Sequence, residues 1–336
     1  MTREAIIRAG SAPLAALLVA TAPAGAAPLA QWRPSVHVAQ VVDLAGPLAD
    51  GRLVVAANGR LEALRRPRAL TPYSPGYSTA VGPEPYIARS SGQAVPGTGC
   101  RFPRDAIYAL EPQAQAPGVV VVDARGRARR AVDLPGPPGL NGIAFDTTGR
   151  FGHRLLVTRA DAGRTTLLAV DCRGRVRTIT TTAPVLEGGL AVAPATFGRF
   201  AGRLIGPDEL SGRILALDAQ GRASLVAVSG LPAGGDTGVE SAGFVPRRFD
   251  SRWSALLADR STPGNPHPGD DAILAVSGRS LLRAGVRGGD LLVATEGGAQ
   301  TVAVRCRTRC SVRHVADGPP AAHGEGHIAF TRAPAG

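Results

Sequence analysis

Acidic side chains recur at one kind of place in this 336-residue chain. Glu187, Glu240 and Glu325 each stand at the start of a short apolar run, and Asn141 takes the matching position in NGIAFD at 141–146. Glu84, in GPEPYIA, falls in a similar setting. A second set, Asp208, Glu209, Asp259 and Glu296, ends the apolar runs that follow. If these positions converge, they make a ring of carboxylates with one amide. That is the donor set of a hard divalent cation such as Ca²⁺, which takes roughly six to eight oxygens. Without a cation, carboxylates crowded into one mouth would raise one another's pKa. The expected ligands are Asn141, Glu187, Glu240 and Glu325. The competing reading is that the glutamates accept backbone N–H bonds at loop ends or meet arginines.

A bound cation would polarise a carbonyl and activate water, and a general base must then stand within hydrogen-bond reach of that water. Asp208, Asp259 and His327 are the candidates for the catalytic role. His267 is another, in the proline-stiffened stretch STPGNPHPGDD at 261–271. The run HGEGH places His323, Glu325 and His327 at alternate positions, on one side of an extended strand, where they could chelate Zn²⁺. Gly324 and Gly326 make a loop an equal alternative. No nucleophile-elbow, P-loop or dinucleotide fingerprint stands in a strand-to-helix setting.

The elements that must position these residues form a repeat. VVVVDARGRARRAV at 119–132, LLAVDCRGRVRTIT at 167–180 and ILALDAQGRASLVA at 214–227 align, with Asp123, Asp171 and Asp218 spaced 48 and 47 apart. Each reads as a strand, an Asp-x-x-Gly-Arg turn and a second strand. The glycine supplies left-handed backbone and the aspartate bonds the turn amides. Two further strand-like runs precede each hairpin, so the unit is four short strands in about 47 residues, the arithmetic of a β-propeller. The segments 31–70, 80–135, 139–183, 186–229, 239–283 and 285–317 make six blades. The last run, EGHIAFT at 325–331, is expected to close the ring by joining the first blade. Seven blades, or paired β-sandwiches, are the alternatives. In a propeller the first strands line a central channel, so equivalent positions from distant segments meet at one mouth.

Composition sets the class and compartment. The chain is 44% hydrophobic, which supports a sizeable core and excludes wholesale disorder. Residues 1–26 read as a secretory signal: Arg3 and Arg8, an apolar stretch from Ala12 to Ala22, then Ala24-Gly25-Ala26 as a cleavage pattern. The mature part, 27–336, is expected to be a single propeller domain, exported and monomeric, with no integral membrane segment. Four cysteines fit an exported protein. Cys306 and Cys310 are placed to bridge a hairpin, and Cys100 with Cys172 follows by elimination. The charge is +12 and every basic residue is arginine. The arginines occur as scattered turn pairs rather than a stripe with aromatics, so nucleic acid is not expected as a partner.

LNGIAFDTTGR at 140–150 and LEGGLAVAP at 186–194 resemble first-strand motifs of the SMP-30/gluconolactonase family of six-bladed propellers. The resemblance implies a metal held by Asn141 and Glu187 and a lactonase-type hydrolysis of a small molecule. It covers about a third of the chain, and the family's Pro-Asn-Asp stretch is absent. Similar strands occur in NHL-like and streptogramin-lyase-like propellers. A non-catalytic propeller that binds a ligand or protein in the same mouth is the alternative function.

Overall fold

A computed structural model describes residues 28–65, 69–80, 84–112 and 116–333. The expected secretory signal at 1–26 lies outside the described residues. The chain is an all-β propeller of six four-stranded blades about one axis. Blade 1 is Val41–Ala45, Leu53–Ala57, Arg60–Arg65 and Ala69–Pro72, from the axis outward. Blade 2 is Ile87–Arg89, Ile107–Glu111, Gly118–Val122 and Ala128–Asp133, and blade 3 is Leu140–Phe145, Leu155–Asp161, Arg164–Val170 and Val176–Ala183. Blade 4 is Ala191–Val192, Leu204–Asp208, Arg213–Leu217 and Ala223–Val228.

The repeated turns form for the reasons their residues dictate. Oδ1 of Asp123, Asp171 and Asp218 each accepts two backbone N–H bonds, at 2.8–3.0 Å, from the two-on and four-on residues. Gly126, Gly174 and Gly221 hold φ of +79°, +79° and +80°. These hairpins pack apolar strand faces against the neighbouring blade. Phe102, Tyr108 and Phe145, for example, meet edge-to-face at 5.0–5.5 Å between blades 2 and 3.

The last two blades are partitioned differently from the expected 239–283 and 285–317. Val239–Phe244 is the axial strand of blade 5, but its neighbours are Leu291–Thr295, Thr301–Cys306 and Cys310–Asp317. The intervening strands Trp253–Asp259 and Ala272–Ser277 belong to blade 6, whose axial strand is the C-terminal Gly324–Arg332. The chain thus crosses to blade 6, builds its middle, and turns back through the short helix Gly278–Arg283 to finish blade 5. Ser277 caps that helix by accepting the Ser280 N–H. Alternation marks a segment as a strand but does not name its partner, which is why the partition could not be read from the repeat.

The ring closes through both chain ends, but not by the expected addition of 325–331 to the first blade: that strand is axial in blade 6, and 33–37, expected in the first blade, joins it there. Arg33–His37 forms the outer strand of blade 6, so N- and C-terminal segments share one sheet, with two strands between them. Ala30–Gln31 adds in parallel to the outer edge of blade 5. Trp32, buried between them, donates its indole N–H to Thr301 Oγ1 at 2.8 Å. Both disulfides form as expected, Cys100–Cys172 joining blades 2 and 3, and Cys306–Cys310 closing the outer hairpin of blade 5.

At the axis, Asp43 ties the ring together. It is fully buried, and its oxygens accept Leu44 N–H, Ile87 N–H and His327 N–H, each at 2.7 Å. His327 Nδ1 lies 2.9 Å from Asp43 Oδ2, and its Nε2 lies 3.1 Å from the Ile143 carbonyl. Two acceptors flank the ring, so both nitrogens carry protons. Burial opposes that charge, but Asp43 outweighs it and raises the His327 pKa. Four blades (1, 2, 3 and 6) meet at this pair. Replacing Asp43 by Ala leaves several buried backbone donors and the half-buried Nδ1 of His327 unpaired, and should cost about 3–5 kcal/mol. Asp43→Asn, which keeps an acceptor, should cost less. Denaturant midpoints for the two variants measure this, and equal, small losses would contradict the clasp.

Candidate functional site

The axial strands run in the same direction, so their N-terminal ends and the C-terminal ends of the second strands open on one face. This face gathers the acidic residues named from the sequence. Glu84, Glu187, Glu240 and Glu325 come from first-strand starts, and Asp208, Glu209, Asp259 and Glu296 from second-strand ends.

Tyr86 stands at the centre of the funnel, almost wholly buried. Its hydroxyl lies 2.8 Å from Glu240 Oε1, 2.8 Å from Glu325 Oε2 and 3.2 Å from Glu84 Oε2. A phenol has one proton, so it can donate to only one of them. At least one of the others must be protonated and donate to Tyr86. Glu240 fits that role: burial first, and then the Glu325 charge, push its pKa well above the usual carboxylate range. Burial would raise Glu325 as well, but His323 and Arg260 hold it below its ordinary value. The order that satisfies every atom is Glu240 carboxyl donating to Tyr86 and Tyr86 donating to the Glu325 carboxylate.

Two cationic side chains sit among these carboxyls. Arg260 reaches Glu84 Oε1 at 2.5 Å and Glu325 Oε1 at 3.2 Å. His323 Nε2 lies 2.7 Å from Glu296 Oε1 and 3.6 Å from Glu325 Oε1. Burial works against the imidazolium, yet Glu296 and Glu325 lift the His323 pKa to about 10. Its Nδ1 lies 3.0 Å from the His267 carbonyl, so Nδ1 donates there and Nε2 faces the two glutamates. One ligand atom from each of Glu296, His323 and Glu325 lies within 4.8 Å of the others, a grouping that could hold a metal ion.

The expected ligand set is brought to the same mouth but not into one group. Asn141 donates to the Leu186 carbonyl at 2.8 Å and reaches Glu187 Oε2 at 3.5 Å, while its own Oδ1 is buried without a partner. Glu240 and Glu325 meet at Tyr86 instead, and Glu325 is the member shared with the metal-competent trio. Asp208 caps the following turn by accepting from Ser211 Oγ. Asp259 accepts His323 N–H at 2.8 Å through Oδ1, and its Oδ2 is buried and unpartnered. His267 lies on the expected face, with Nδ1 2.7 Å from the Pro320 carbonyl. His327 lies in the axial clasp, away from His323 and Glu325. Gly326 (φ +66°) breaks the alternation there and turns the chain towards Asp43. Tyr86 and Arg260 were not anticipated, and no sequence spacing pointed to either.

The funnel holds protons. The Glu325 charge, and then burial, raise Glu84 to about 7. Burial raises Glu187 to about 7, and burial followed by Glu296 raises Glu209 to about 8. On the opposite face, a cavity of about 380 Å³ is lined by Ile143, Phe145, Phe244, Trp253 and Phe330, with His327 at its floor.

No family model matches the chain, and no curated protein does. Some solved structures are similar to it at low identity. The nidogen/laminin complex is similar at 13% identity over 87% of this chain and 84% of that one, with a TM-score of 0.49. Virginiamycin B lyase from Staphylococcus aureus gives 11%, 87% of this chain, 92% of that one, and 0.47. A gluconolactonase from Xanthomonas campestris gives 14%, 72% of this chain, 86% of that one, and 0.36. These likenesses concern the fold, which the sheet topology establishes by itself.

A carboxyl with a raised native pKa binds more protons in the folded than the unfolded state, so stability falls as pH rises from the unfolded to the native value. Glu84, Glu187 and Glu209 set that window at about pH 4.5 to 8. The metal-free protein should lose thermal stability steadily across it. A Tm that is flat or rises over the same window would refute the proton-holding funnel.

Proposed function

We propose that the acidic funnel is a divalent-cation centre that hydrolyses a small ester- or lactone-type molecule, in an exported, monomeric propeller comprising residues 27–336. The observation that carries this is the converging trio Glu296, His323 and Glu325, with Nε2 directed between the two carboxylates by the His267 carbonyl. The residues fit an ion: a histidine whose other nitrogen is held by a carbonyl is the usual supported metal ligand. An imidazole in the set favours a borderline ion such as Zn²⁺ over Ca²⁺, the ion expected from the carboxylates, because Ca²⁺ takes oxygen donors. When bound, such an ion supplies Lewis acidity towards a carbonyl oxygen and lowers the pKa of water.

The chain's own groups do the rest. Tyr86 and Arg260 fix the Glu325 carboxylate, and Asp259 fixes the His323 backbone. Glu187, with a pKa near 7 and partial exposure, is suited to accept a proton from an attacking water. Asp208 and Asp259 are less suited to that role, because Ser211 already bonds an Asp208 oxygen and Asp259 is fully buried. The two disulfides are consistent with an oxidising compartment. Among the described residues no helix is long and apolar enough to cross a membrane.

One observation favours ligand binding without turnover. Arg260 already bridges Glu84 and Glu325, so part of the acidic charge is balanced without an ion.

Titration with Zn²⁺ separates the readings. At about 100 times the Kd measured at pH 8 the ion should stabilise the protein by about 2.7 kcal/mol there, and the same ion concentration should give less at pH 5, since the ion must displace the His323 proton. Glu296→Gln should abolish that gain. Glu187→Gln should retain it while lowering hydrolysis of a model lactone by about 10²-fold or more. A stable protein that takes up no divalent ion at either pH would overturn the metal reading, and ion uptake with no turnover of esters or lactones would leave the binding reading standing.

A further inference from the structure

The turns at the other ends of the axial strands carry arginines, and four converge in one cleft of about 320 Å³ between blades 3 and 4. Arg150 comes from the loop after the first strand of blade 3. Arg199 and Arg203 flank the matching loop of blade 4, and Arg222 comes from the outer hairpin of that blade. This cleft lies on the face opposite the acidic funnel and shares no residue with it.

Arg222 is paired with Asp218, but the other three guanidinium groups have no carboxylate partner among the described residues. Phe200 is buried, and Arg199 and Arg203 both stack over its ring, at 4.8 and 5.6 Å from the centroid. Arg203 also donates to Ser224 Oγ, which fixes its plane. Gly202, at φ +76°, lets the stem of Arg150 lie against the loop, where a Cβ would collide with it. The one carboxylate in the lining is Asp218. Its oxygens are taken by Gln220 N–H, Arg222 N–H and Arg222 Nε. Among the described residues no carboxylate pairs with Arg150, Arg199 or Arg203. The planar forks of Arg150, Arg199 and Arg203, gathered in one concave cleft without a carboxylate partner, match a tetrahedral oxyanion, which accepts paired N–H bonds.

We propose that this cleft binds a phosphate- or sulfate-type oxyanion carrying at least two negative charges. The cavity holds more than one such group, so the ligand presents two linked groups or one group on a larger body. The site is independent of the funnel's chemistry.

Calorimetric titration of the full mature chain with inorganic pyrophosphate, and separately with sulfate, tests it at low ionic strength. Saturable binding of about one equivalent of at least one anion is expected; binding of pyrophosphate alone identifies a phosphoryl ligand, and of sulfate alone a sulfuryl one. The triple variant R150Q/R199Q/R203Q should weaken it by about tenfold or more, and the single variant R199Q by about threefold. The control R127Q/R175Q removes two exposed arginines from equivalent turns of blades 2 and 3, and should leave binding within about twofold. If neither anion saturates, or if the control loses as much affinity per charge as the cleft variants, the cleft is not a site and only the net positive charge attracts anions. R199Q keeps the test decisive should the triple variant fold poorly, because Arg199 is exposed and makes no hydrogen bond that the fold requires.

Discussion

A ring of blades has no inherent reason to close on one axis; something must hold the innermost strands at a common distance. Here that is a buried carboxylate and a doubly protonated imidazole. Asp43 accepts from three blades and His327 reaches a fourth, so every polar atom of the pair has a partner within the protein. A buried ion pair adds little net stability over an apolar substitute, but breaking it is costly, and its geometry admits one arrangement of partners. The clasp therefore specifies rather than merely stabilises: it fixes the spacing of the first strands, and with it the width of the funnel above and the apolar cavity below. His327 serves structure because Gly326 turns it there.

The exchanged strands of blades 5 and 6 serve the same end. In blades 1 to 4 the four strands of a blade come from one stretch of chain, interrupted only by a small hairpin at 94–101 in blade 2, so each can form locally. Blade 5 cannot be completed until the chain has built the middle of blade 6 and returned, and blade 6 lacks its axial strand until the end of the chain arrives. The N-terminal segment then seals both, with Ala30–Gln31 on one blade, Arg33–His37 on the other, and Trp32 between them. The two blades are interlocked, so opening one requires opening the other.

How much of this was readable follows from what each feature depends on. The hairpins were legible because Asp-x-x-Gly-Arg is a local code, with the aspartate and glycine acting within four residues. The propeller followed from the repetition of that code. The convergence of Glu187, Glu240 and Glu325 on one face was legible because equivalent repeat positions share a face. The grouping within the face was not. It depends on Tyr86, which sits between Glu240 and Glu325 because blade 2 begins there, and on Arg260, which reaches Glu84 across 176 residues. The HGEGH run illustrates the limit. Alternation predicts three ligands on one side, yet one left-handed glycine leaves His323 and Glu325 together and removes His327. The strand exchange was illegible for a related reason, since two strands of equal apolar pattern do not state which sheet they enter.

The same local code explains why charge is sorted between the two faces. Strand direction sends every first-strand start to one face and every Asp-x-x-Gly-Arg turn to the other. The funnel carboxylates are thus separated by the length of a strand from the arginines of those turns, each of which also carries its own paired aspartate. Read along the chain, the arginines are scattered pairs; folded, those of blades 3 and 4 meet in a cleft. Separation matters energetically because at close range the two sets would neutralise each other. Held apart by a strand length, somewhat beyond the Debye length at physiological salt, each keeps its own potential. The acidic mouth holds protons, and on a protein with a formal charge of +12 it stands as a local exception to the overall charge.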